Sequence, residues 1–318
     1  MKRLYIVLFL IIALGDLANA QNFYSRRRNR TLMFSYGLGA SQYHGDLHDI
    51  LYDGMGTATG YSFGIGLRKK FGDQLSLRLD LNHYQIGGSD ADNQKGVLNN
   101  RLSGRESIGN EDDRYIRNLS FRARNWELSL LANLNLIPVR GSYSRRPIVN
   151  PYLIAGVGFT TTTPKGRDPL TGDWVKLAPL NTEVGFAQEG EQQKKIRMVV
   201  PLGLGIRLKA NQYIDILLEG ARRFTFTDYL DDISTKYPSV ESIRAYHQQN
   251  SPDLEELAVR MYDRSAEGGY PARQEGNTRG NPERNDSYYI FQIRLEMYLP
   301  DSFLSEIFSP SRRKPKFR

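Results

Sequence analysis

The strongest regularity in this chain is an alternation of apolar and polar residues with a period of two, the pattern of a strand with two unlike faces. Eight runs carry it. The first sets Leu32, Phe34, Tyr36, Leu38 and Ala40 against Ser35, Gly37 and Gly39. The second sets Tyr61, Phe63, Ile65 and Leu67 against Ser62, Gly64, Gly66 and Arg68. The third alternates Leu75, Leu77, Leu79 and Leu81 with Ser76, Arg78, Asp80 and Asn82. The fourth carries Trp126, Leu128, Leu130, Ala132, Leu134 and Leu136 opposite Glu127 and Ser129, and is expected to begin near Leu119 with a bulge around Arg124. The remaining four are centred on Leu153–Phe159, Val200–Leu208, Ile214–Leu218 and Tyr289–Leu299.

The connections between these runs alternate in length, at roughly 18, 4, 32, 13, 32, 4 and 60 residues, the plan of an outer-membrane barrel with long outer loops and short periplasmic turns. The predicted fold is therefore all-β: an eight-stranded antiparallel up-and-down transmembrane β-barrel of OmpA/OmpX-like size with long extracellular loops. In the last loop Ser251 and Pro252 read as a helix start, with Leu254, Leu257, Ala258 and Met261 on one face, which predicts a short helix near the barrel mouth. An even number of strands places both termini in the periplasm.

A soluble lipocalin-like barrel shows the same alternation with its apolar side inward. Three features favour apolar-out. Glycines 37, 39, 64, 66, 156, 158, 203 and 205 share the charged face, where small residues relieve crowding in a narrow lumen. Phe34, Tyr36, Tyr61, Phe159, Tyr289 and Phe291 lie near the ends of the apolar stripes, as interfacial girdles require. The loops are also far longer at one end. The inward face then carries Arg68, Arg78, Arg207, Arg223 and Arg294 with Asp80, Glu127, Asp215, Glu219 and Glu296. Equal numbers of opposite charges allow neutral pairing, and eight strands enclose just enough room for side chains, so a plugged barrel is expected.

Composition narrows the setting. A mean hydropathy of −0.51 argues against a helical membrane protein. Absence of Cys excludes disulfides, thiol catalysis, Cys-ligated metal and a lipoprotein anchor. Lys2 and Arg3, the apolar run Leu4–Leu14 and Ala18-Asn19-Ala20 form a signal peptide, so residues 1–20 are expected to be removed. The formal charge is +8. It concentrates in a basic tail at 21–31 (Arg26, Arg27, Arg28, Arg30) and another at 300–318 (Arg312, Arg313, Lys314, Lys316, Arg318), leaving the barrel, 32–299, close to neutral. That distribution points to periplasmic contacts through Arg26, Arg27, Arg28, Arg312, Arg313 and Lys314, and away from nucleic acid.

Candidate chemistry is sparse. His44 and His48 lack a third ligand at metal spacing, and no nucleophile elbow, phosphate loop or zinc-protease motif occurs, so no cofactor, metal or small-molecule substrate is expected. Asp228, Asp231 and Asp232 cluster at the outer end of the seventh strand, where a strand terminus with an Asx turn competes with a calcium site or a rim enzyme.

Several segments carry a resemblance. They are Tyr43-His44-Gly45-Asp46-Leu47, Val200–Gly205, the stretch Glu219 to Asp232 with Asp228-Tyr229-Leu230-Asp231-Asp232, then Asp263-Arg264-Ser265, Arg279-Gly280-Asn281 and Asp286–Tyr289. Together, over about residues 32–299, they resemble the PorG-like outer-membrane β-barrels associated with the type IX secretion system. The resemblance implies a non-enzymatic anchor in the outer-membrane lipid, partnered by a periplasmic ring of PorK- and PorN-like proteins and tied to protein secretion and gliding motility. The chain departs from the pattern in its tail of 19 residues after the last strand, which makes any assembly signal internal, at Ile293–Leu299. A surface-binding or adhesive barrel acting through its outer loops is the alternative.

Overall fold

A computed structural model describes residues 31–47, 59–90, 116–140, 143–187 and 190–299. The expected leader, residues 21–30 of the first basic tail, the second basic tail and His48 lie outside the described residues. Ten strands form: β1 (Leu32–His44), β2 (Thr59–Phe71), β3 (Leu75–Ser89), β4 (Ser120–Asn135), β5 (Val149–Thr161), β6 (Pro164–Arg167), β7 (Trp174–Lys176), β8 (Ile196–Lys209), β9 (Ile214–Thr225) and β10 (Ser287–Tyr298). Eight of them close into an antiparallel barrel in the order β3-β2-β1-β10-β9-β8-β5-β4, with β4 returning to β3. The seam between first and last strands runs from Met33↔Tyr298 to His44↔Ser287. β6 and β7 make a small hairpin hung on the long-loop end of β4 through Arg122↔Lys165.

The bulge expected in β4 is absent. Its register with β3 is continuous from Leu75↔Leu134 to Ser89↔Ser120, and its residues alternate between faces without a slip. What changes is the chemistry of each face. Up to Trp126 the apolar residues other than Leu131 point outward; beyond it Ala123 and Phe121 point inward. The same inversion occurs in β3, where Tyr84 and Ile86 are buried, and in β10, where Tyr288 and Ile290 are. The physical cause is that the strands continue past the apolar belt into a second, inward-facing core.

That core is the floor of a folded cap. Tyr43, Phe121, Val199 and Tyr288 from the strands pack with Leu177, Leu180, Leu230, Ile233, Ile243 and Met261 from the long loops. The last loop holds two helices where the sequence suggested one. α1 (Val240–Asn250) is capped by Ser239, whose hydroxyl accepts the Ser242 N–H. A 3-10 turn, Pro252–Leu254, then leads into α2 (Glu255–Tyr262). Ser251 makes no side-chain cap; its hydroxyl meets His247 Nδ1 at 2.7 Å instead. α1 escapes periodicity because, of its residues, just Ile243 and His247 are buried, too few to draw an apolar stripe.

Candidate functional site

The barrel presents three features that can act: an outer belt, a filled interior and the cap. The belt is made of the outward residues of all eight strands. Leu38, Leu204 and Ile293 are each more than 60% exposed. Around them Phe63, Leu128, Val157 and Leu218 are exposed as well. A soluble surface does not spread large side chains continuously around a whole molecule. Aromatic groups edge the belt. Trp126 lies 4.6 Å from His83, His83 lies 5.7 Å from Tyr61, and Tyr289 stacks on Phe291 at 6.1 Å between ring centroids.

The interior is built from the opposite parity. All ten charges named from the sequence lie inside, in three tiers that climb from the short-turn end. In the lowest, Glu296 accepts from Arg68, with Nε to Oε2 at 2.7 Å, and lies 3.6 Å from Arg207. Arg207 also reaches Asn135 at 2.9 Å and faces Asp215 at 3.8 Å. In the middle tier Arg78 forks onto Glu219 at 2.5 and 2.8 Å and meets Asp80 at 3.0 Å, while Arg294 holds Asp80 at 3.1 Å. In the top tier Arg223 faces Glu127 at 3.3 Å under the Tyr288 hydroxyl, which donates to Glu127 at 2.7 Å. Forked guanidinium–carboxylate contacts satisfy several donors at once, which lowers the cost of burying ions in so narrow a lumen.

Glycine creates the room. A Cβ on Gly66 would stand 2.1 Å from Asp80 Oδ1, and one on Gly205 would stand 2.5 Å from the Tyr152 ring. Tyr152 in turn donates to Glu219 at 2.5 Å. Sequence reasoning missed Tyr152, Tyr288 and Arg146. The tyrosines follow the inward parity and were legible in it. Arg146 sits in the β4–β5 connection, outside any periodic run, yet it enters the barrel from below and grips Asp215 at 2.6 Å with its guanidinium 4.5 Å from the Tyr298 ring centre.

The cap gathers the scattered motif segments. Tyr43 Oη lies 2.7 Å from Asp231 Oδ2 and 2.5 Å from Asp286 Oδ1, and it accepts the Asp46 N–H at 3.1 Å. A phenol has one proton to give. It donates to one carboxyl, so the other must carry a proton and donate back. The surroundings agree. Burial, reinforced by Asp286 and Asp46, pushes Asp231 well above the usual carboxylate range and Asp228 up to about 10. Burial likewise lifts Asp286 and Asp232 to about 8, the latter against the pull of Arg279.

Asp231 also accepts the Ile233 N–H in an Asx turn, and Asp232 takes a left-handed φ of 70°. Leu230 N–H is held by Asp286, and Tyr229 Oη reaches Glu183 at 3.3 Å. Glu183 pairs with Arg279 at 2.7 Å, and Asp46 accepts the Asn281 N–H at 2.8 Å. The motif is thus a set of ties between loops. His44 approaches Arg284 at 2.9 Å, His83 sits in the aromatic edge, and buried His247 bonds the Leu180 carbonyl at 2.8 Å. Among the described residues no three His, Cys, Asp or Glu side chains are grouped to hold a metal ion.

No protein-family model matches the sequence, and no curated protein matches it. Solved structures do. Neisserial surface protein A (NspA) matches with 8% identity and a TM-score of 0.36, over 85% of this chain and 98% of that one. Ail, the attachment invasion locus protein of Yersinia pestis, in complex with the heparin analogue sucrose octasulfate, matches with 7% identity and a TM-score of 0.36 over the same shares. The outer membrane protein OprG from Pseudomonas aeruginosa matches with 11% identity and a TM-score of 0.34, over 86% of this chain and 97% of that one. Likeness at this level carries no argument about function.

Proposed function

We propose that this chain is a non-enzymatic integral outer-membrane barrel of a Gram-negative cell, plugged rather than porous, with both termini in the periplasm. The observation that carries the reading is the continuous exposed apolar belt wrapped around an ion-paired interior. In water that belt would aggregate; in lipid it is the solvated face, and barrel closure leaves no unpaired strand edge there. On this reading residues 1–20 are the exported leader, 32–299 the membrane unit, and the basic tails 21–31 and 300–318 its periplasmic arms.

The finer role we propose is anchorage of a periplasmic apparatus, the secretion ring of PorK- and PorN-like proteins that the motif resemblance implies. The charge distribution supports it, because the tails hold the net positive charge while the barrel is near neutral. Cross-linking in intact envelopes from the tails, at Arg27 and Arg313, tests it. Capture of ring proteins and a secretion defect on deletion are the expected results; neither appearing removes the role.

One observation favours a second reading. The long loops form a packed cap with its own buried core, a larger investment than covering a mouth requires. On that reading the barrel displays the cap for surface binding. Replacing Ser239–Tyr262 by a short linker then abolishes binding to the surface partner and leaves secretion intact, the opposite of what anchorage predicts.

A further inference from the structure

The hairpin β6–β7 presents an unusual outer face. Cross-strand partners share a face, so Arg122, Lys165 and Lys176, paired in series across β4, β6 and β7, stand side by side. Arg124 and Arg167 continue the same face along β4 and β6. No acidic residue occupies an outward position of these three strands, and none of the five cations forms an ion pair among the described residues. The hairpin's own carboxylates lie in its turn, and Asp168 is taken by Arg260 at 2.8 Å. Like charges directly opposite one another in three neighbouring strands are destabilising unless an anion joins them.

The face is anchored from behind, and Arg122, Lys165 and Lys176 lie at one height. Gly166 packs so close to α2 that a Cβ there would stand 2.5 Å from Met261 Cε, and the Arg260–Asp168 pair pins the turn. Arg124 and Arg122 lie two and four residues above Trp126, about 7 and 13 Å along the strand. Trp126 ends the apolar belt on β4, so these cations stand where lipid headgroups begin. Arg122 also lies 3.9 Å over the Trp174 ring, and the two line a groove of about 220 Å³ with the polar side chains of Gln85, Ser89 and Ser120 and the backbone of Gly87. A guanidinium in a polar groove, with Lys165 and Lys176 paired in series beside it, suits a phosphorylated sugar.

We infer that this face binds the phosphates of a bisphosphorylated glucosamine glycolipid (lipid A chemistry) in the leaflet surrounding the barrel. The inference rests on the membrane reading above, since the groove opens beside the belt. It is tested with the whole folded chain in phosphatidylcholine nanodiscs containing graded fractions of lipid A, by counting bound lipid A in native mass spectra. The triple variant R122Q/K165Q/K176Q is the comparison. Binding weakens about fivefold for each charge removed, and dephosphorylated lipid A binds no better than phosphatidylcholine.

Equal retention by wild type and variant overturns the proposal. So does full competition by millimolar glucosamine phosphate in detergent, which would make the site one for a free soluble anion. Flotation with plain phosphatidylcholine vesicles and heat-modifiable migration report insertion and folding separately. Failure to float overturns the membrane reading itself; flotation without lipid A preference overturns this inference alone. Migration of the variant like wild type is expected, because the substituted side chains lie outside the core.

Discussion

Each carboxylate in the barrel interior is shared, and that sharing sets what a single substitution does. Glu296 lies between Arg68 and Arg207, so Glu296→Gln leaves the buried Arg68 guanidinium without its anion and Arg207 with Asp215 alone. Breaking one side of a buried ion pair costs about 3–5 kcal/mol, whereas replacing both sides with apolar groups of similar volume is often nearly neutral. Urea unfolding of vesicle-inserted protein, followed by Trp126 fluorescence, should show the full loss for Glu296→Gln and a smaller one for the Arg68→Met, Glu296→Leu double variant. If the single variant unfolds at the wild-type midpoint, the pair is not what holds the lower tier. Gly66→Val makes the complementary point: the added side chain invades the space of Asp80 and Arg294, and overpacking of this kind costs about 1–3 kcal/mol.

At the scale of the element, the strands change character along their length. In the belt their inward positions carry ions; above it the same parity carries Tyr43, Tyr84, Phe121 and Tyr288. The cap depends on protonated carboxyls where β1, the loop after β9 and the start of β10 meet. The groups facing Asp231 are Asp46, Asp228 and Asp286, with Tyr43 between them; Glu183 and Arg279 flank Asp232, and Arg284 acts on Asp286. These carboxyls have folded pKa values above their unfolded ones. The unfolded loops therefore release protons first as pH rises, and the stabilisation, complete below about pH 4, is lost progressively up to the folded values of about 8 to 10. Hydrogen exchange in Leu230–Tyr237, corrected for intrinsic rate, should accelerate between pH 6 and pH 10 in wild type. In Asp231→Asn the dependence should shrink, because one ionisable member is gone. A cap that exchanges equally across that range would refute the protonated cluster.

Element by element, legibility in the sequence followed environment. All eight barrel strands announced themselves, because outward-facing and lumen-facing positions differ chemically along each. The apparent slip in β4 arose where the apolar face crosses from outside to inside, a change of surroundings that periodicity reads as a change of register. The hairpin β6–β7 gave no periodic signal because its strands are short, and α1 gave none because two of its residues, Ile243 and His247, are buried. The ten interior charges were legible from parity; Arg146 was not, because it reaches Asp215 from a loop.

As a whole molecule the barrel has its interior filled from the Arg146 end to the layer of Tyr84 and Tyr288, whose rings stack 4.6 Å apart beneath the cap. Ions bound for the far side would have to break the Arg78–Glu219 and Arg294–Asp80 pairs of the middle tier. Planar bilayers containing the purified protein should show no stepwise currents at neutral pH. Porin-sized steps would refute the filled interior. The sequence alone determined the period-two alternation, the number of barrel strands and the parity of each charge, because side chains alternate faces on any strand whatever lies beside it. Tertiary structure alone decided which charges pair, where the faces exchange character, and how Tyr43, Asp231 and Asp286 meet. Those contacts join residues up to 243 positions apart, and such distances are set by barrel closure and loop packing rather than by local pattern.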